Sequence, residues 1–598
     1  METAAPRSAH TFHIPVMGTG YTVDTPLRVA KYGISSVISL VDDTLVEQMR
    51  AHHARLNGRP YEEIAGDEDD SRARRITAYL DLIDKLVAAQ VADLQEEPFT
   101  SDSDITRYFE MLPESPQKQF YLDMLSCDDP NEKERFQQEL RTLAVPGSID
   151  VNIMSKLDCD AYRGSEKLAP EFADAMAALR GYANSTLHSS IVFSAGMNPR
   201  LYAYIAQFDD FFPNENGTLK KKIILKVSDY RSALIQGKYL AKRGLWVSEF
   251  RIESGLNCGG HAFPTTGRLL GPILEEFRVN RDTLPGKLHK LYQKGLTSAN
   301  RQTPETPYEV RVTIQGGIGT ADEDSLMLEH YLADGTGWGT PFLLVPEVTN
   351  VDDEHLEKLQ VADESEVILS DSSPVGVPFW NLRDSASEAS RQVRVDEGKP
   401  GSVCPKSHVK LNAEFTKTPI CLSSRAYQRT KLKELDANQD LSDEQRDYLT
   451  TKVLAKSCIC HDLAGGATIK SGADPEATPA ICPGPGIAYF SQIASLDEMI
   501  GHIYGETSLL GEVDRPHVFI KELQLYVDYM RKEMAEVALG VSERTQEYFS
   551  EFATNMLDGI NYYRSICDEV LTNIQDRFLS DLAELQETIE APVAVAAT

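Results

Sequence analysis

Short apolar and β-branched runs alternate with amphipathic stretches through the first 350 residues, which is the pattern of βα units around a parallel sheet. Eight runs read as strands: HIPVM (13–17), SVISL (36–40), IDVNIM (149–154), SIVFSAG (190–196), KIILKV (222–227), LWVSEFRI (245–252), EVRVTIQGG (309–317) and GWGTPFLL (337–344). Between them lie helical patterns such as SDYRSALIQGKYLAKRG, where Ser228 or Asp229 offers an N-cap and Gly244 a stop. Eight strands, each followed by a helix, are the arithmetic of an α/β fold of the (β/α)8 TIM-barrel type, whose active sites gather at the C-terminal strand ends.

Two stretches interrupt a minimal barrel. After the barrel start (1–41), residues 42–145 read as an acidic helical insertion, and its charge run GDEDD (66–70) reads as a solvated face. The rest of the barrel spans 146–349, and residues 350–497, rich in Pro, Gly, Ser and Cys, read as a loop-dominated annex. From 498 to 598 the chain turns helical, with apolar residues three and four apart in HVFIKELQLYVDYMRKEMAEVAL and RSICDEVLTNIQDRFLSDLAELQETI. That tail reads as a helical hairpin packing on the barrel or on a second copy, so a homo-oligomer is one expectation.

Composition narrows the partners. The 598 residues carry 60 Lys and Arg against 91 Asp and Glu, a net charge of −31, which on average repels nucleic acid and anionic membrane surfaces. No stretch reaches the roughly 18–20 apolar residues of a spanning helix, and METAAPRS at the start lacks the apolar core of a signal peptide, so the expected place is the cytoplasm. Nine cysteines are too few and too uneven for a secreted disulfide framework. Cys404, Cys421, Cys458, Cys460 and Cys482 fall in one stretch, and thiols clustered in a reducing compartment point to a metal.

The barrel-mouth positions carry the chemistry. Gly316 and Gly317 end the seventh strand, and Gly339 with Thr340 belongs to the eighth. Glycines there let backbone N–H groups approach an anion, and barrels often bind phosphate at the loops after these two strands; tight turns are the alternative. His261 stands on the Gly-rich loop ESGLNCGGH after the sixth strand, with Gly259 and Gly260 before it, and a ring there suits proton transfer. Lys226 ends the fifth strand and offers a cation at the mouth, unless it only pairs with an acidic neighbour such as Glu249; Asn152 offers an amide.

The order of these pieces resembles a family. HIPVMGTGYTVDTPLRVAKYGISSVISL, DVNIM, IILKVSDYRSALIQGKYLAKRG, ESGLNCGGHAFPTTGRLL and VTIQGGIGTADEDSLMLEHYLADGTGWGTPFLLVPE are together similar to the nitronate monooxygenase and FMN-dependent enoyl-acyl-carrier-protein reductase superfamily. The resemblance covers about residues 12–348 less the insertion. It implies non-covalent FMN, with its phosphate on Gly316, Gly317, Gly339 and Thr340. Met17 and Gly18 would pack against the flavin, Gly259 and Gly260 would belong to its cradle, and Asn152 and Lys226 would bond the ring edge. His261 would be the acid or base. Asn257 stands where many relatives carry Glu, and the insertion is larger than usual, so the family's substrates do not transfer with the fold.

The segments KSCICHDLAGGA and AICPGPGIAYFSQIASLDEM resemble a cluster-bearing subset of that superfamily, which implies a [4Fe-4S] cluster on Cys404, Cys421, Cys482 and one of Cys458 and Cys460. Softness alone suits zinc as well, and unligated buried thiols are a third reading. Asp436–Ser442 imitates the start of a calcium loop, but Leu441 stands where the sharp turn needs Gly; Ser442 as a helix cap explains the stretch better. The expected activity is FMN-dependent oxidoreduction of a small or thioester-linked organic substrate, with an electron donor or acceptor protein as a further partner. The alternatives are oxygen-dependent nitronate oxidation and a non-enzymatic acidic scaffold that retains a barrel.

Overall fold

The computed structural model describes residues 9–596 except 156, 165, 195 and 405; residue 195, inside the fourth predicted strand, and the first eight residues, which include the METAAPRS stretch, lie outside it. Eight parallel strands close into a barrel: Phe12–Ile14 (β1), Ser35–Ser39 (β2), Ile149–Ile153 (β3), Ser190–Phe193 (β4), Lys222–Val227 (β5), Val247–Glu253 (β6), Arg311–Gln315 (β7) and Gly335–Gly337 (β8). The order around the barrel is β1-β8-β7-β6-β5-β4-β3-β2, with each strand beside its sequence neighbour. Every predicted strand is present, the fifth over the very residues expected and most of the others shorter or shifted. The eighth differs most: it ends at Gly337, and Thr340–Leu344 is a short 3-10 helix. Pro341 explains the switch, because its fixed φ and missing N–H suit a first helical turn and not a ladder.

Period-2 alternation sorts the side chains. Phe250 and Ile252 of β6 and Val312 and Ile314 of β7 belong to the main hydrophobic core outside the barrel, so Glu249, Arg251, Glu253, Thr313 and Gln315 face its interior. Inside, the apolar filling is a small separate cluster of Val37, Val192 and Ile224. The charges are paired: Glu249 Oε1 accepts from Arg251 Nε (2.9 Å) and Nη2 (2.7 Å) and from Thr313 Oγ1 (2.6 Å). Burial alone raises the pKa of Glu249, but Arg251 and Arg311 outweigh it and hold the carboxyl at about 2. Burial and the neighbouring Arg251 push His13 down to about 3, so it is neutral at pH 7.

The insertion forms five helices, Asp43–Leu56, Ser71–Glu96, Asp104–Glu110, Pro116–Ser126 and Pro130–Leu143. Asp229 caps the Tyr230–Ala241 helix by accepting from Ser232 N, and Gly244 follows its end at φ +72°. The annex is more regular than its composition suggests: it holds the helices Asp353–Val361, Ala386–Asp396, Arg425–Ala437 and Asp443–Leu454 and an antiparallel pair, Val367–Ser370 (β9) with Phe379–Leu382 (β10). Ser442 makes a full capping box with Gln445, as expected of a helix start and not of a calcium loop. The tail forms three long helices, Val518–Ala538, Gln546–Val570 and Gln575–Ala596. The first buries Val518, Phe519, Ile520, Leu523 and Tyr526 in the same core as the barrel strands, so the tail packs on its own barrel. Among the described residues no helix is long and apolar enough to cross a membrane.

Candidate functional site

The C-terminal ends of β1, β6, β7 and β8 open into one cavity. Met17 and Gly18 line it from β1, Gly259 and Gly260 from β6, Gly316 and Gly317 from β7, and Gly339 and Thr340 from β8. The sequence places these residues on separate strands, and barrel closure brings them onto one wall. At the β7 end the backbone needs glycine twice over. Gly316 and Gly317 have φ of +110° and +83°, and a Cβ on Gly317 would stand 2.0 Å from Asn257 Nδ2.

The annex roofs this mouth. Gly484 N–H donates to Thr340 Oγ1 (2.9 Å), Trp380 N–H to Gly260 O (2.9 Å), Ala262 N–H to Pro378 O (2.9 Å) and Gly20 N–H to Leu463 O (3.1 Å). His261 stands under the roof, partly exposed. Its Nε2 is 2.7 Å from Ser373 Oγ, which also accepts Val375 N–H, and its ring meets Phe379 edge-on at 4.9 Å.

Lys226 and Asn152 face the barrel interior by the same alternation, and neither lines the cavity. Lys226 Nζ is 3.0 Å from Glu253 Oε1, so its acidic partner is Glu253 and not Glu249, which lies one level deeper. Asn152 Oδ1 is buried without a hydrogen-bond partner, and so is Asn257 Oδ1, which lines the cavity. Buried amide oxygens with nothing to accept from are the acceptors that a bound polar molecule would satisfy.

No protein-family profile matches the chain, and no curated protein matches it. Sixteen solved chains do. One is a FabK mutant from Thermotoga maritima, at 13% identity and a TM-score of 0.29, covering 67% of this chain and 84% of that one. Another is the enoyl reductase domain of MlnA from the macrolactin biosynthesis cluster of Bacillus amyloliquefaciens, at 13% identity and a TM-score of 0.31, covering 69% of this chain and 85% of that one. Likeness at these TM-scores carries no argument about activity.

Four site groups are invisible to motif reading. Glu253 and Gln315 reach the mouth from the barrel interior, and the alternation in EFRIE is the available signal for the first. Arg515 lines the cavity from the tail, pairing Glu323 with both Nη atoms at 2.7 Å and donating from Nη2 to Gly317 O at 2.8 Å. Glu522, also from the tail, accepts from Ser254 Oγ (2.6 Å) and from Leu270 N–H (2.7 Å). No sequence signal ties Arg515 or Glu522 to loops some 200 residues earlier.

Glu522 has a testable consequence for stability. Burial pushes its pKa up to about 7, against the two hydrogen bonds, which lower it. The folded pKa therefore exceeds the unfolded value of about 4.3. Stability is undiminished below that value and falls as pH rises through 7, because the native state must then give up a proton that it holds more tightly than the unfolded chain. At about 1.4 kcal/mol per pKa unit, the loss is on the order of 3 kcal/mol. Urea unfolding at pH 5 and pH 8 should show a smaller pH-dependent loss in Glu522→Gln than in the unaltered protein. Equal losses in both would refute the assignment.

Four of the five annex cysteines come together, and the fifth does not. The Cys404 thiol meets that of Cys458, which meets Cys460, and Cys421 packs in a small buried cluster with Cys460, Leu157 and Val409. Cys482 is elsewhere: it lines the mouth cavity beside Gly18. The reason lies in its neighbours, since Ala480 O accepts Tyr21 OH, Ile481 O accepts Leu382 N–H and Gly484 N–H reaches Thr340. Among the described residues no three His, Cys, Asp or Glu side chains are placed to hold a metal ion. The expected ligand set, with Cys482 beside Cys404, Cys421 and one of Cys458 and Cys460, is therefore not assembled around one [4Fe-4S] cluster.

Proposed function

We propose that the protein is an FMN-dependent oxidoreductase of the nitronate monooxygenase and enoyl reductase type, acting on a small or thioester-linked organic substrate by dehydrogenating or reducing a carbon–carbon bond. The observation that carries the reading is the convergence of the Gly316–Gly317 and Gly339–Thr340 loops on one cavity with Met17, Gly18, Gly259 and Gly260. The loops after strands seven and eight are where barrels hold phosphate, and unpartnered amide oxygens at Asn152 and Asn257 suit a ligand with many donors.

In this reading Gly316, Gly317, Gly339 and Thr340 hold the FMN phosphate. Met17 and Gly18 would pack against the ring, while Asn152 and Lys226 would bond its edge. FMN supplies the two-electron chemistry, and the barrel supplies orientation and charge. His261, held by Ser373, moves the proton, and the annex roof excludes water from the mouth.

The test is direct. Purified protein should be yellow, and denaturation should release FMN. Anaerobic bleaching of the bound flavin by acyl thioesters, without oxygen uptake on alkyl nitronates, supports the dehydrogenase or reductase reading; the opposite result assigns nitronate oxidation. A colourless protein that binds no added FMN ends the enzyme reading and leaves an acidic scaffold with a barrel shape.

A further inference from the structure

Strand β6 presents its charged residues to the barrel interior at successive levels. The lower carboxylate, Glu249, is balanced by Arg251 and Thr313 beneath the site. The upper one, Glu253, stands on the cavity wall itself. In the strand register Glu253 lies opposite Gln315, and Lys226 lies opposite Arg251. Glu253 Oε1 accepts from Lys226 Nζ at 3.0 Å and from Gln315 Nε2 at 2.7 Å, and the Cys258 thiol also bonds the carboxylate. Burial pushes the Glu253 pKa up, but Lys226, Gln315 and Cys258 outweigh that, so the group is held below the ordinary carboxylate range and is ionised at pH 7.

An ionised carboxylate that is itself largely buried is costly and must be compensated. Gln315 and Cys258 line the cavity with Glu253 while Lys226 does not, so at this point the cavity meets the anion, with its cation one step back. Charges at such a site act in a low dielectric and on whatever charge the ligand gains. We infer that Glu253 is a positioning residue that sets the redox poise of the site: it fixes Lys226 beneath the FMN ring and, by its own charge, keeps the two-electron potential of the flavin low. This rests on the FMN reading above. It adds to that reading a residue and a direction, because Lys226 alone would raise the potential.

The experiment measures the two-electron potential of bound FMN, against a reference dye, in the unaltered protein, Glu253→Gln, Lys226→Met and the double variant. Glu253→Gln keeps the side-chain shape and removes the charge. It should shift the oxidised-to-reduced ratio at least tenfold toward reduced, which is about 30 mV or more for a two-electron couple, and it should tighten sulfite binding to the flavin. Lys226→Met should shift the potential the other way, and the double variant should return close to the starting value, as charge compensation requires. If Glu253→Gln does not fold, Glu253→Ala in the same titration decides, with the same upward shift expected and an unchanged potential overturning the inference. FMN bound with the same potential in all four proteins overturns this inference and leaves the FMN reading standing. An unaltered protein that binds no FMN overturns both.

Discussion

Replacing Gly317 with valine is expected to weaken flavin binding about 100-fold while leaving the barrel folded. The residue has φ +83°, a conformation that β-branched side chains avoid, and the new Cβ would lie 2.0 Å from Asn257 Nδ2 and 2.4 Å from Asn257 Cγ. Asn257 cannot simply retreat. Its backbone N–H is bonded to Ser254 Oγ (3.2 Å), its amide faces Val518 O, and it is 3% exposed. The loop must therefore shift, and its N–H groups leave the positions from which they would hold a phosphate. Backbone strain of this kind costs about 1–3 kcal/mol; with the displaced contacts, the loss of FMN affinity should reach about 100-fold, or roughly 3 kcal/mol. Gly376 is the control: it has the same φ of +83°, and a Cβ added there would meet nothing within 4 Å. Gly376→Val should lower stability by a similar amount of strain yet retain flavin. Equilibrium dialysis of both variants separates the outcomes. Normal FMN affinity in Gly317→Val would remove the β7 loop from the cofactor site.

The second large effect concerns turnover. His261→Ala should keep FMN at the unaltered stoichiometry, because the glycines of the β7 and β8 loops lie elsewhere on the wall, and should lose about 100- to 10,000-fold in kcat, the usual worth of a positioned acid or base. Ser373→Ala should lose less, since it removes only the 2.7 Å contact between Ser373 Oγ and the ring. Turnover within a few-fold of the unaltered enzyme in His261→Ala would reduce the ring to a prop under Phe379.

Much of this protein is legible in its residues. The eight strands can be read because each is a short β-branched run between helix signals, and parallel closure needs no further information than eight such units. The glycine pairs can be read because left-handed backbone leaves few other choices at Gly316 and Gly317. The helix starts at Asp229 and Ser442 can be read because capping is local. The failures share a different origin. Lys226 is recognisable as a mouth residue, but its partner Glu253 depends on which strand lies beside β5 and at what register. Cys404 to Cys482 look like one ligand set because they share a stretch of sequence, yet the segment 480–484 is tied to the barrel and carries Cys482 away from the other thiols. Arg515 reaches the mouth, and Glu522 the loop after β6, only because the Val518–Ala538 helix buries its apolar face against the barrel. Local sequence determined the elements, their caps and the backbone that needs glycine, since those depend on residues a few positions apart. Tertiary packing alone decided which charges face one another and which thiols meet, because burial, register and compensation are properties of neighbours that the chain brings together from hundreds of residues away.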